Sequence, residues 1–251
     1  MHLLFCAGLA LLLTLFAPGG AHAAPPALLM VNTIYPPFIN PPGHPSGEGI
    51  DVEIAREALQ RGGGYTVELQ LLPWKRALRL LELGEADFTT TISRSGARDK
   101  FLGWSQGYRT AGDYRFYSRK GSGLLLTDLQ GLKGKRLGVI AGFVYPPLVL
   151  RDAGAVIETA RDITAALQML LAGRTDYIVV TAIAGLWEIR ERGFKDWLDK
   201  QPFEHASDSP NYMAFSLARK PAAALAAMEA GLASMRRDGS IGRIERKYLA
   251  P

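Results

Sequence analysis

A run of hydroxyl side chains followed by two arginines is the segment of this sequence best suited to binding a small anion. It reads TTISRSGAR and extends from Thr90 to Arg98. The planar guanidinium of arginine binds a carboxylate through two parallel hydrogen bonds, and nearby hydroxyls and backbone N–H groups complete the shell of donors. Thr91, Ser93 and Arg98 are therefore candidate ligand contacts. Because such a segment is also typical of a solvated surface turn, its interpretation depends on the elements around it.

The first 23 residues have the pattern of an export signal. An apolar run over residues 3–16 is followed by Pro-Gly-Gly and then by Ala-His-Ala. This pattern predicts a signal peptide that is cleaved after Ala23, and hence a periplasmic protein. An uncleaved membrane anchor is the alternative, because His2 is the only basic residue before the apolar run. That run is short for a membrane span.

Composition narrows the classes of function. The chain has 251 residues, with 29 Lys and Arg against 24 Asp and Glu. The basic residues are scattered among acidic ones without a stripe of aromatics, so we expect no nucleic-acid partner. The single cysteine, Cys6, lies in the apolar run, so the mature chain should have no disulfide. Its only histidines, His44 and His205, are far apart, and we expect neither a metal site nor a cofactor.

Apolar patterning predicts strands that alternate with helices. Predicted strands cover residues 28–33, 65–72, 114–117, 136–141, 177–180 and 212–217, and another begins at Phe88. Predicted helices cover residues 50–61, 74–83, 126–132, 162–173, 182–192, 194–198, 221–237 and 241–249, and another begins at Pro146. Such alternation favours parallel sheets covered by helices. Two similar phrases, LGEADF at 83–88 and AGRTDY at 172–177, favour two similar lobes.

Several short segments, in order, resemble the family 3 solute-binding proteins, which are periplasmic receptors of polar amino-acid ABC transporters. The matching segments are YPPF at 35–38, GIDVEI at 49–54, LGEAD at 83–87, Arg98 with Ser105 seven residues later, LKGKRLGV at 132–139, DGSI at 238–241 and KYL at 247–249. Together they extend over nearly the whole predicted mature chain.

The resemblance implies an α/β, two-lobed fold of the type II periplasmic-binding-protein kind. Its ligand cleft lies between the lobes, which two crossover strands join. The implied division is a signal peptide at 1–23, the first part of lobe 1 at 24–111, lobe 2 at 112–210 and a return segment of lobe 1 at 211–251. The crossovers are expected near residues 109–112 and 209–212.

The resemblance also assigns ligand contacts. Tyr35 and Trp74 match the positions that enclose the ligand side chain. Arg98 matches the arginine that binds the ligand's α-carboxylate, and Ser93 matches a hydroxyl at the end of the preceding strand.

Two places depart from the family pattern. Thr181 stands where an acidic side chain often binds the ligand's α-ammonium, and it remains a candidate contact through its hydroxyl. Phe143, Val144 and Tyr145 follow Gly142 where small hydroxyl residues are usual, and the backbone there, at Val144, is retained as a candidate contact. The added bulk favours an aromatic or dicarboxylic ligand over a plain zwitterionic amino acid.

The predicted function is a monomeric, non-enzymatic receptor for a small carboxylate-bearing solute, an amino acid or a derivative of one, that delivers it to an ABC permease in the inner membrane. A secreted enzyme resembling cyclohexadienyl dehydratases is one alternative. It would need a general acid near Arg98, for which Glu48, Asp51 and Glu188 are the candidates. A receptor that senses the ligand without transporting it is another.

Overall fold

The computed structural model describes residues 26–249. The predicted signal peptide and its cleavage site lie outside the described residues. Among the helices of the described part, none is long and apolar enough to cross a membrane.

The described chain forms two β-sheets with helices packed against them. The strands are β1 Ala27–Asn32, β2 Thr66–Leu71, β3 Phe88–Ile92, β4 Leu102–Trp104, β5 Arg109–Thr110, β6 Tyr114–Arg119, β7 Arg136–Ile140, β8 Val156–Ala160, β9 Tyr177–Thr181, β10 Leu198–His205 and β11 Pro210–Ser216. The α-helices are α1 Ile50–Gly63, α2 Trp74–Leu83, α3 Ile163–Leu171, α4 Ala182–Glu191, α5 Ala222–Arg237 and α6 Ser240–Leu249. Short 3₁₀-helices cover Leu129–Leu132, Lys195–Trp197 and Leu217–Arg219, and a π-helix covers Leu148–Asp152.

The first sheet, which defines lobe 1, has the order β2-β1-β3-β11-β4, with β5 paired to β11. Strand β1 runs parallel to β2 and β3. Strand β11 runs antiparallel to β3, β4 and β5. The prediction of a fully parallel sheet is therefore wrong for lobe 1. Strand β11 runs in the opposite direction because it brings the chain back from the other lobe.

The second sheet, which defines lobe 2, has the order β10-β6-β9-β7-β8. Strand β7 is parallel to β8 and β9, whereas β6 is antiparallel to β9 and β10. Strands β4, β8 and β10 have no counterpart in the sequence prediction. Strand β8 lies at the sheet edge, where Val156 and Ile157 are exposed. Its sequence, VIETA, does not alternate between apolar and polar residues, so it gives no strand signal. The predicted helices after Pro146 and Phe194 are only a short π-helix and one 3₁₀ turn.

Lobe 1 contains both ends of the described chain because α5 packs along α1. Their contact is close at Gly62 and Gly231. A Cβ at Gly231 would collide with the backbone carbonyl of Ala58, and one at Gly62 with that of Ala227. The predicted α/β, two-lobed fold is confirmed, and the residue boundaries of the lobes stay a prediction.

The chain crosses between the lobes twice, at adjacent places. Thr110 of β5 lies opposite Pro210 of β11, and Arg109 lies opposite Asn211. The two crossing segments are therefore hydrogen-bonded neighbours. Side chains from this pair of strands reach the region between the lobes.

Candidate functional site

A cleft with a volume of about 50 Å³ lies between the two lobes. All seven residues predicted as ligand contacts line it, namely Tyr35, Trp74, Thr91, Ser93, Arg98, Val144 and Thr181. The structure therefore brings together side chains from both lobes, and their role in binding stays a prediction. The other lining residues are Asn32, Thr33, Ile92, Ala111, Tyr114, Phe143 and Asn211.

The cleft is built at the ends of four strands. β1 and β3 end in lobe 1 at Asn32 and Ile92, and β7 and β9 end in lobe 2 at Ile140 and Thr181. Crevices at the carboxyl ends of parallel strands are the usual place for ligands in α/β proteins. Asn32 and Thr33 were missed in the sequence analysis, although their place at the end of a strand and directly after it was the available signal.

Arg98 is a buried cation that has no anionic partner among residues 26–249. Only 7% of the residue is exposed. Its Nη1 donates to the Ser93 carbonyl at 2.6 Å, and its Nη2 donates to the Gly142 carbonyl of lobe 2 at 2.7 Å. The guanidinium lies over the Trp74 ring, 5.6 Å from its centroid. Burial lowers the pKa of Arg98 to about 10, and the group keeps its charge at neutral pH.

The two lobes contact each other directly across the cleft. The Tyr35 hydroxyl and Thr181 Oγ1 are 2.5 Å apart. Trp74 Nε1 donates to the Gly142 carbonyl at 3.0 Å, so one carbonyl of lobe 2 accepts from two side chains of lobe 1. Burial raises the pKa of Tyr35 to about 12, even though the hydrogen bond to Thr181 acts in the opposite direction. The Tyr35 phenol therefore stays neutral over the physiological range.

A second buried arginine, Arg109, lies at the crossover beside the cleft. Its Nε and Nη2 donate to Asp51 at 2.9 and 2.6 Å. Its guanidinium is stacked 3.8 Å from the centroid of Phe38. With its amide oxygen turned toward the guanidinium, Asn211 accepts from Arg109 at 2.9 and 3.0 Å. Burial by itself lowers the pKa of Arg109, but the charge of Asp51, its hydrogen bonds to Arg109 and the nearby Tyr108 and Tyr35 together raise it.

Thr91 lines the cleft and is also hydrogen-bonded to Asp51, the partner of Arg109. It has a φ of 59°, which is rare for a residue with a Cβ and costs of order 1–3 kcal/mol. Its hydroxyl donates to Asp51 Oδ2 at 2.6 Å, and its backbone N–H donates to the Tyr108 hydroxyl at 3.2 Å. We call Asp51, Thr91, Tyr108, Arg109 and Asn211 the hinge network.

None of the three carboxylates considered for a general acid lines this cleft. Asp51 is paired with Arg109, and Glu48 binds Arg56 in an exposed pair. Glu188 accepts from Arg192 and from Thr164. Among residues 26–249, no three side chains of the His, Cys, Asp and Glu types are grouped as a metal site would require.

The chain matches the family model for bacterial extracellular solute-binding proteins, family 3, over residues 29–251. This match includes nearly every element described above. A comparison with curated protein sequences found no significant match.

Solved structures share the fold. An ancestral arginine-binding protein bound to arginine is 22% identical, with a TM-score of 0.76, over 91% of this chain and 100% of that one. A histidine kinase sensor domain similar to periplasmic binding proteins is 24% identical, with a TM-score of 0.75, over 90% and 96%. An arginine transport-system periplasmic binding protein from Legionella pneumophila is 16% identical, with a TM-score of 0.74, over 90% and 100%.

Proposed function

Since this chain belongs to the bacterial extracellular solute-binding proteins of family 3, we propose that it is a periplasmic receptor for a small carboxylate-bearing solute. In this proposal the solute binds between the lobes, and the closed form delivers it to an ABC transporter permease in the inner membrane. A ligand that contacts both lobes shifts an open-to-closed equilibrium by binding the closed form more tightly.

The observation that carries the proposal is the position of Arg98. A buried charge is unfavourable unless it is paired, and among residues 26–249 this guanidinium contacts two carbonyls and the Trp74 ring but no carboxylate. A solute carboxylate supplies the missing negative charge. It would also complete the arginine's donors with charge-assisted hydrogen bonds, which are the strong ones.

The neighbouring side chains suit a small solute with an apolar part. Tyr35, Trp74 and Phe143 line the cleft with aromatic surface. Ser93 lines the same cleft and offers its hydroxyl to the anion, whereas the hydroxyl and the N–H of Thr91 already donate to Asp51 and Tyr108. Removal of apolar ligand surface from water at about 25 cal/mol per Å² adds to the affinity.

The test is calorimetric binding of amino acids, dicarboxylates and simple carboxylic acids to the chain that starts at Ala24. Arg98→Ala is expected to weaken binding of any solute found by about a hundredfold or more, because it removes a buried charge pair. Arg94→Ala is the matched control. Arg94 belongs to the same segment as Arg98, but it is exposed and paired with Asp99. The affinity of Arg94→Ala should therefore stay within about twofold of wild type. Equal affinities in wild type and Arg98→Ala would refute the proposal.

A sensing role is the second candidate, and the likeness to a histidine kinase sensor domain favours it. Such a receptor would close on the same solute but dock on a membrane sensor. Uptake of the labelled solute by cells with and without the gene separates the two roles. Loss of uptake supports transport, and unchanged uptake with a lost transcriptional response supports sensing.

A further inference from the structure

The charges around the cleft restrict the chemistry of the solute further. We propose that the solute is a carboxylate that carries no ammonium group, with an uncharged and largely apolar body. This inference rests on the proposed function, because it concerns the same cleft and the same arginine.

Arg98 contributes a full positive charge to the cleft, and the surrounding protein does not neutralise it. Within residues 26–249 it forms no ion pair, and its two side-chain hydrogen bonds end on backbone carbonyls. Arg109 shows the alternative, since its guanidinium is neutralised by Asp51. Asp51 is therefore not available to Arg98 or to a solute.

The other side chains described along the cleft are uncharged. No aspartate or glutamate is among the residues that line it in the part of the chain that the structure describes. The wall of the cleft includes the hydrogen-bonded pair of Tyr35 and Thr181. Tyr35 is held neutral by burial. Behind the wall, Asp51 contacts Thr91 and Arg109 contacts Asn211, but these two charges neutralise each other.

Charge balance then separates two kinds of solute. A carboxylate alone neutralises Arg98, and the closed cleft has a net charge near zero. A zwitterionic amino acid brings one negative and one positive charge, so the cleft keeps a net positive charge and its ammonium has no anionic partner. Hydroxyls accept hydrogen bonds but do not neutralise a buried charge.

The body of the solute is defined by the rings that line the same cleft. Tyr35 and Phe143 meet edge to face with centroids 5.5 Å apart, and Trp74 is fixed by its hydrogen bond to Gly142. Tyr114 is fixed on the other side through its hydrogen bond to the Val144 carbonyl. Such rings enclose apolar or flat groups and leave polar recognition to Arg98.

The experiment compares amino acids with their deaminated counterparts in three pairs of rising size: L-alanine and propionate, L-leucine and isocaproate, L-phenylalanine and hydrocinnamate. Each pair has one carbon skeleton, so size and shape are matched. Calorimetry on the wild-type chain is expected to give binding of at least one deaminated acid about tenfold tighter than its amino acid. An amino acid that binds as tightly as its counterpart, or more tightly, would overturn the inference.

A negative charge placed in the cleft wall at Thr181 tests the cause. Thr181 precedes α4, where Asp and Asn are equally favourable as helix caps. Thr181→Asp is expected to shift the ratio of the two affinities by about tenfold or more toward the amino acid. Thr181→Asn has the shape of Thr181→Asp without the charge, so the shift is measured as the difference between these two variants. An unchanged ratio in Thr181→Asp would contradict the charge argument.

Failure of this inference differs from failure of the proposed function. If amino acids bind best and Arg98→Ala abolishes their binding, the receptor stands and the inference is wrong. If neither member of any pair binds but a dicarboxylate does, and Arg98→Ala abolishes that binding, the receptor again stands and the inference is wrong. If binding is indifferent to Arg98→Ala, both are wrong.

Discussion

Two arginine side chains are buried in this molecule, each over an aromatic ring, and they differ in whether a carboxylate accompanies them. Arg109, in the hinge network, has Asp51, Asn211 and an aromatic face around its guanidinium. Arg98, in the cleft, has two backbone carbonyls and no carboxylate in the described chain. The charge of Arg109 is neutralised by Asp51 of the same chain. The charge of Arg98 is left for a partner that comes from outside, and this difference distinguishes a structural ion pair from a binding site.

The same substitution at the two arginines should give the largest difference. Arg109→Met is expected to lower the free energy of unfolding by about 3–5 kcal/mol, because it leaves the Asp51 carboxylate buried without a cation. Arg98→Met should change it by less than about 1 kcal/mol, since no buried anion loses its partner. Urea unfolding of the two variants without added solute measures both values. Equal losses would show that the two arginines do not differ as described.

Thr91 connects the two regions, and its hydroxyl should matter for stability. Thr91→Val keeps the branched shape and the unusual φ but removes the hydrogen bond to Asp51. A hydrogen bond to a charged group contributes about 1.5–3 kcal/mol, and we expect a loss in that range. Thr91→Ser keeps the hydroxyl and should lose clearly less. Urea unfolding again provides the measurement, and a Ser variant as unstable as the Val variant would exclude the hydrogen bond as the cause.

Because burial keeps Tyr35 uncharged, the stability of the folded chain should depend on pH. The pKa of Tyr35 is about 12 in the folded chain, above the ordinary value of 10.0. The folded protein therefore keeps a proton that the unfolded chain loses, so this part of the stability is complete below about pH 10 and is lost as the pH rises toward 12. Tyr35→Phe cannot titrate. Between about pH 9 and pH 11 it should lose about 1.4 kcal/mol less stability than wild type. Parallel curves of unfolding free energy against pH would contradict this.

The smallest effect is expected far from both arginines, where the lobes meet at His44 and Trp187. The ring centroids of these residues are 5.7 Å apart. Such a pair contributes about 0.5–1 kcal/mol to closure, so Trp187→Ala should weaken solute affinity by about two- to fivefold. Trp197→Ala is the control, because Trp197 is exposed in lobe 2. Equal affinities in both variants would show that closure does not use this contact.

The general plan of the fold could be predicted from the sequence because its signals are local. The helical spacing of Ile50, Ile54 and Leu59, and the helix start at Pro73 and Trp74, each depend on neighbouring residues alone. Strands β4, β8 and β10 were missed because they are short or lie at or near a sheet edge, where tertiary pairing rather than composition decides the conformation. The antiparallel direction of β11 follows from the return between lobes, which no local pattern encodes.

The candidate site was predictable for a similar reason. Tyr35, Ser93 and Arg98 each stand shortly after a strand, and Thr91 is near the end of one, which is where the chain of an α/β protein meets its cleft. Asn32 and Thr33 meet the same criterion and were overlooked. Asn211 carried no such signal, because it enters the cleft from a crossover strand.

By itself, the sequence determined the residue types at the strand ends and the presence of an arginine beyond the hydroxyl run. Only the tertiary structure decided which arginine is neutralised. Asp51 and Arg109 are 58 positions apart, and Tyr35 and Thr181 are 146 apart. Their pairing depends on how two sheets and two crossovers bring distant segments together. The strength of an electrostatic interaction depends on the distance between the charges in space and on their burial. The uncompensated charge of Arg98 is therefore a property of the folded chain.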